Sequence, residues 1–300
     1  LRKLRDPAET TAKVVGLAMP MAVYLGLIVI TQVVRPLRKI SFDLVAWLVL
    51  GGILILVNSA TAKSKLAKSY PGSKAAGSHH TEVRLKLNRL CRLLEIQKVP
   101  DAFVIDSDRA AATVRGMGAP YLIISSRLLQ ILTDQEFEAL LGALLGQCKM
   151  GNVFWRTFIH VLRDGNGFVK LICAPYMLMV TLLGSYLEVS HFSADRVALL
   201  LLEGDYHLLA RTVLKTIARS SPSITDQEAD ALDRFLAKTG LEASAQDVEH
   251  QVILSRMVRS VDGLHERLEN IKASNELPAF QEQLSVIRRR QEMLQPPARG

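Results

Sequence analysis

The sequence predicts a mainly α-helical protein with a small β-sheet: an α+β domain carried by an N-terminal transmembrane helical hairpin. Three observations predict it. Two uncharged apolar runs occupy most of residues 14–62, two short Val- and Ile-rich runs lie near the middle, and most of the rest carries helix caps and helical apolar spacing. The predicted units are a basic flank (1–13), the hairpin (14–62), a linker (63–80), a domain (81–215) with an apolar segment at 171–187, and a C-terminal helical region (216–300).

Val14 to Val34, "VVGLAMPMAVYLGLIVITQVV", contains no charge and as a helix crosses a hydrocarbon core of about 30 Å. Pro20 is compatible, since membrane helices tolerate proline. Its length and the immediate second run argue against a cleaved signal peptide. Leu44 to Ala62 is the second uncharged run, preceded by Ser41 and Asp43 as caps and carrying Trp47 near one interface. The connecting loop holds Arg35, Arg38 and Lys39, whereas the outer flanks share Arg2, Lys3, Arg5, Lys13, Lys63, Lys65, Lys68 and Lys74. The positive-inside rule therefore predicts both flanks, and the main domain after Lys63, in the cytoplasm. A bacterial plasma membrane is the expected location.

The net charge of +8 is concentrated beside the apolar runs and accompanies no nucleic-acid motif, so the expected partners are the lipid bilayer and other membrane proteins, or a second copy, with no nucleic acid. Cys91, Cys148 and Cys173 are widely spaced and form no CxxC pair, which excludes a disulfide framework and a zinc ribbon. His79 and His80 lie in a Gly- and Ser-rich linker, where adjacent histidines are solvated and not metal ligands.

From Thr81, Val83, Leu85, Leu87, Leu90, Leu94 and Ile96 mark a helix with a broad apolar face. "AFVID" (Ala102 to Asp106) and "YLIISS" (Tyr121 to Ser126) read as strands joined by a connection with Gly116 and Gly118. Thr133 and Glu136 form a capping box opening a helix whose Gly142 and Gly146 permit a close neighbour. Leu171 to Leu187 lacks charge over a length just below a full span, fitting either a re-entrant or third membrane helix or a buried core helix. "EVSHFSADRVALLLLEGD" comes next, as a helix. A second capping box at Thr225 and Glu228 opens a helix ending on Gly240. Ile253, Met257, Val261, Leu264, Leu268 and Ile271 then form a seam of three- and four-residue steps, and Pro278 breaks the C-terminal segment beyond it. That seam serves either as a partner-docking surface, through Ile253, Met257, Val261, Leu264 and Leu268, or as packing on its own domain.

This order of elements, with "AATVRG", "YLIISSRLLQILTDQE" and "SADRVALLLLEGD", resembles the integral-membrane zinc metallopeptidases related to HtpX and the CAAX prenyl protease (peptidase family M-48, gluzincin-like). The resemblance covers roughly Thr81 to Asp205. In that family HExxH supplies two zinc ligands and the general base, and a later helix carries the third ligand in an ExxxD pattern. Laid on the pattern, Ala143 stands at the first ligand, Leu144 at the base, Gln147 at the second ligand and His191 at the third, while Asp195 is retained.

Catalytic zinc needs about three protein donors and a water, and HExxH works because ligands four apart share one helix face with the base between them. Ala143 has no lone pair, Gln147 is a poor substitute for imidazole, and Leu144 cannot accept a proton. The resemblance thus implies a degenerate member without HExxH: no enzyme, no cofactor, and a binding, structural or regulatory role in a membrane assembly. An active zinc endopeptidase with other ligands is the alternative; Cys148, His160, His191 and Asp195 are then the candidates. A weaker alternative is a lipid-binding protein using the vacated cleft.

Overall fold

The computed structural model of the protein describes residues 4–33, 38–69, 81–164, 167, 170, 173–221, 224–239 and 264–294. Its architecture is mostly helical with one small sheet and two apolar N-terminal helices, as the sequence predicts.

Helices α1 (Pro7–Val33) and α2 (Arg38–Ser69) form the N-terminal pair. Both are long and apolar enough to cross a membrane, with mean hydropathy of 1.9 over Pro7–Val29 and 2.0 over Val45–Ser69. Val14, Met21, Leu25, Leu50, Ile53 and Leu56 are exposed, an outward apolar surface suited to lipid. The helices run beyond the expected limits. Pro7 suits a first helical position, which draws part of the basic flank into α1. Between Ala62 and Ser69 no Gly or Pro interrupts the chain, so α2 takes in the first part of the expected linker. His79 and His80 lie outside the described residues.

Helix α3 (Thr81–Leu93) buries Val83, Leu87, Leu90 and Cys91 along one face, but Leu85, assigned to that face, is 63 % exposed because it stands two residues from each of its neighbours in the stripe. Strands β1 (Asp101–Ile105), β2 (Ala112–Arg115) and β3 (Tyr121–Ser125) come next. Their order is β1-β3-β2, with β1 parallel to β3 (Asp101 opposite Tyr121) and β2 antiparallel to it (Val114 opposite Leu122). The expected connection therefore contains a third strand. Four residues with only Thr113 and Val114 β-branched give too short an alternation to stand out.

After the short α4 (Ser126–Ile131), Thr133 caps α5 (Asp134–Met150): its hydroxyl accepts the Glu136 N–H, and the Glu136 carboxylate accepts the Thr133 N–H at 2.8 Å. Gly151 ends the helix in the left-handed region at φ 73°. Helix α6 (Val153–Asp164) succeeds it.

The apolar segment at 171–187 does not make one continuous span. It is divided into a 3₁₀ turn (Ala174–Tyr176), α7 (Met177–Leu182) and the first turn of α8 (Gly184–Leu201). Pro175 in the 3₁₀ turn is the local reason for its start. The segment packs on the hairpin: Cys173, Val180, Leu183 and Tyr186 cluster with Ile55 of α2 and with Phe158 and Ile159 of α6. The Tyr176 hydroxyl donates to the Leu48 carbonyl at 2.5 Å.

The main core lies between α5 and α8. Gly142 and Gly146 face Ala198 and Ala194; a methyl group on Gly146 would stand 2.6 Å from the Ala194 carbonyl oxygen. The remaining helices close the domain: α9 (Tyr206–Ser220), α10 (Asp226–Thr239), α11 (Leu264–Ser274) and α12 (Pro278–Leu294). Glu136, 1 % exposed, ties α5 to α9 through Arg211 (2.9 Å) and Lys215 (3.2 Å).

The C-terminal seam packs inward where it is described. Leu264 and Ile271 are 1 % exposed in the main core and the half-buried Leu268 packs against it, so of the two uses read for the seam these residues take packing on their own domain, which corrects the docking assignment of Leu264 and leaves Leu268 partly exposed. Ile253, Met257 and Val261 lie outside the described residues.

Residues ahead of α1 and in its first turn are also built into the domain. Leu4 is buried in the main core, Arg5 donates to the Met150 carbonyl, the Asp6 N–H donates to Ser193 Oγ at 2.9 Å, and Arg196 holds both the Asp6 carboxylate (2.6 Å) and the Leu4 carbonyl (3.1 Å). Near the far end of α2, Lys63 pairs with Asp101 of β1.

Candidate functional site

One face of α5 presents Ala139, Ala143, Leu144 and Gln147, and successive turns of a helix bring residues at this spacing to one side. Opposite stand His191 of α8 and Thr212, Val213 and Thr216 of α9, with Ala112 of β2 and Arg267 of α11 at the margins. Together they enclose a cleft of about 100 Å³. Ala143, Leu144, Gln147 and His191, distant in sequence, therefore meet around one space.

The donors around that space are few. Gln147 is 5 % exposed and lines the cleft. The Thr216 hydroxyl is buried without a hydrogen-bond partner among the described residues. His191 does not offer its Nε2 lone pair freely: Arg156 Nη1 lies 3.2 Å from it. A guanidinium only donates, so Nε2 accepts and the imidazole is neutral with its proton on Nδ1. Burial, then the Arg156 and Arg267 guanidinium groups, hold the His191 pKa well below its ordinary value.

Arg156 also donates to Ser190 Oγ (3.0 Å) and the Leu187 carbonyl (3.3 Å), and forms no ion pair among the described residues. Its Nε is buried without a partner among them. Burial, with Arg267 nearby, lowers its pKa to about 10, so it stays charged at neutral pH.

Asp195, 1 % exposed, is held in a two-pronged ion pair by Arg267, Nε to Oδ2 at 2.6 Å and Nη2 to Oδ1 at 2.8 Å. Such planar pairing occupies both carboxylate oxygens. Cys148 is turned away from the cleft and packs against the main core; burial and the neighbouring Cys91 push its thiol up to about 12, so it is a thiol and not a thiolate. His160, half-buried on α6, does not line the cleft. Among the described residues no group of three His, Cys, Asp or Glu side chains is placed to hold a metal ion. A larger groove of about 440 Å³ lies elsewhere, between the Lys63 end of α2 and the Gly116–Ala119 turn.

Sequence reasoning did not mark Arg156, Thr216 or Arg267. Arg156 reaches His191 only through the packing of α6 on α8, and Arg267 lies inside a seam read for its apolar residues.

With this geometry in place, comparison with known proteins adds a distant and partial kinship. The chain is 29 % identical over 135 residues to the Plastoglobule-localized metallopeptidase 48, chloroplastic, of Arabidopsis thaliana; the match takes in 43 % of this chain and 38 % of that protein. The chain thus spans well under half the length of this curated relative, and the similarity indicates a peptidase-family relationship. No protein-family profile matches the chain. No solved structure matches it.

Proposed function

We propose that this chain is a catalytically inactive, membrane-anchored homologue of zinc metallopeptidases of the HtpX type, which acts by binding, as a structural or regulatory subunit of a membrane assembly. The observation that carries this reading is the composition of the cleft. Where the resemblance places three zinc ligands and a base, the chain has a methyl group, a carboxamide, an imidazole already hydrogen-bonded by a guanidinium, and an aliphatic side chain.

This set does not fit zinc. A catalytic site needs about three lone-pair donors and an open position, and two guanidinium groups beside His191 repel a dication. The one retained carboxylate, Asp195, is occupied by Arg267. Nothing at Leu144 can activate a water.

Two apolar helices of spanning length support the anchoring, and the contacts of both hairpin flanks with the domain favour all three lying on one side of the bilayer, which the positive-inside rule makes the cytoplasm.

The test is elemental analysis of the detergent-purified chain, alongside cleavage of an unfolded protein substrate. Zinc far below one atom per chain and no cleavage are expected. Stoichiometric zinc with chelator-sensitive cleavage would overturn the reading.

A further inference from the structure

The vacated cleft retains a polar atom that the protein itself leaves without a partner. Gln147, more than nine-tenths buried, lines the wall, and the Thr216 hydroxyl beside it finds no hydrogen bond among the described residues. Buried polar groups are nearly always satisfied, so an orphan hydroxyl on a small cavity points to a ligand that completes it. Arg267, after giving Nε and Nη2 to Asp195, retains the donors on Nη1 at the cleft margin.

Charge narrows the ligand. Arg156 and Arg267 lie close enough to His191 to act on it, while Asp195 is paired with Arg267 and Arg156 has no ion pair among the described residues. Two guanidinium groups against one carboxylate leave one net positive charge. The remaining wall is aliphatic, with Ala143, Leu144 and Val213. A cavity of about 100 Å³ is small; drug-sized ligands occupy about 300 Å³ or more.

We propose that the cleft binds a small monoanionic carboxylate on a short aliphatic chain, with the carboxylate taken up by Gln147, Thr216 and Arg267 and the chain lying against Ala143, Leu144 and Val213. A single negative charge balances the site, and a planar acceptor group matches donors of this kind. The proposal rests on the reading that the cleft holds no catalytic metal, because a zinc ion would also attract carboxylates.

Calorimetric titration of the detergent-purified chain tests it, with butyrate against its neutral isostere butyramide, each with and without a zinc chelator. Butyrate binding about tenfold tighter than butyramide is expected, the ratio of one charge-assisted interaction. Chelator should change nothing. Ala143→Leu, which fills the cleft, should abolish binding, and Gln147→Leu, which breaks no ion pair, should weaken it about fivefold while the circular-dichroism melting curve stays in place. Hexanoate separates two sources of the same chemistry: binding weaker than butyrate marks a free short-chain acid, and tighter binding marks the end of a longer acyl chain. Equal binding of butyrate and butyramide, no binding of butyrate, or butyrate binding undiminished in both variants would overturn the proposal. Butyrate binding lost on chelation would overturn both it and the metal-free reading; butyrate failing to bind protein that elemental analysis shows to be purified without zinc would overturn the proposal alone.

Discussion

Arg267 and Asp195, 72 residues apart, form a two-pronged ion pair that fastens α11 to α8 at the edge of the cleft. The Asp195 carboxylate thus serves to hold a C-terminal helix. Arg267→Ala leaves Asp195 buried and unpaired, and a loss of about 3–5 kcal/mol is expected. Adding Asp195→Asn should recover part of that loss. Urea midpoints of the two single variants and the double variant, in mild detergent, measure the coupling.

Glu136 is another buried carboxylate with its partners on neighbouring elements. Burial raises its pKa, but the Thr133 N–H, Lys215 and Arg211 outweigh that effect and hold it below the ordinary value. A depressed carboxylate contributes stability that is complete above its unfolded pKa and is lost as pH falls through the folded pKa. Glu136→Gln should therefore cost about 2 kcal/mol at pH 7. The gap from the parent protein should close as pH falls below about 4. A gap independent of pH would assign the effect to geometry and not to charge.

His191 has the same sign for a different reason, since its charged form is opposed by burial and by two guanidinium groups. The unfolded chain binds the proton more readily, so stability is complete above about pH 6.5 and declines as pH falls toward the lower folded value. His191→Gln should flatten that part of the stability profile. An unchanged profile would mean that other groups set the acid sensitivity.

Gly146→Ala should be more damaging than Gly142→Ala. The added methyl meets the Ala194 backbone at 2.6 Å in the first case and the Ala198 Cα at 3.1 Å in the second. Overpacking of this kind costs about 1–3 kcal/mol. Melting temperatures of the two variants rank them.

Much of the scaffold was legible in the sequence because its signals are local. The capping box at Thr133, the uncharged runs of α1 and α2 and the Gly142–Gly146 pair each declare themselves within a few residues. Strand β2 was obscured because pairing with β3, not its own pattern, makes it a strand. The convergence of Ala143, Gln147 and His191 on one cleft agrees with the spacing read from the resemblance. The charges around it could not be read in that way: Arg156 and Arg267 arrive from α6 and α11, and nothing near either residue in sequence signals its destination. The split of the 171–187 segment was similarly hidden, because its uniform apolarity matches both a span and packing against α2.

Both ends of the N-terminal hairpin are fastened to the domain, through Arg196 with Asp6 and Leu4 on one side and Lys63 with Asp101 on the other. A body attached at two points cannot swivel as one on a single tether can. Whatever surface receives α1 and α2 therefore also fixes the heading of the cleft and its height above that surface.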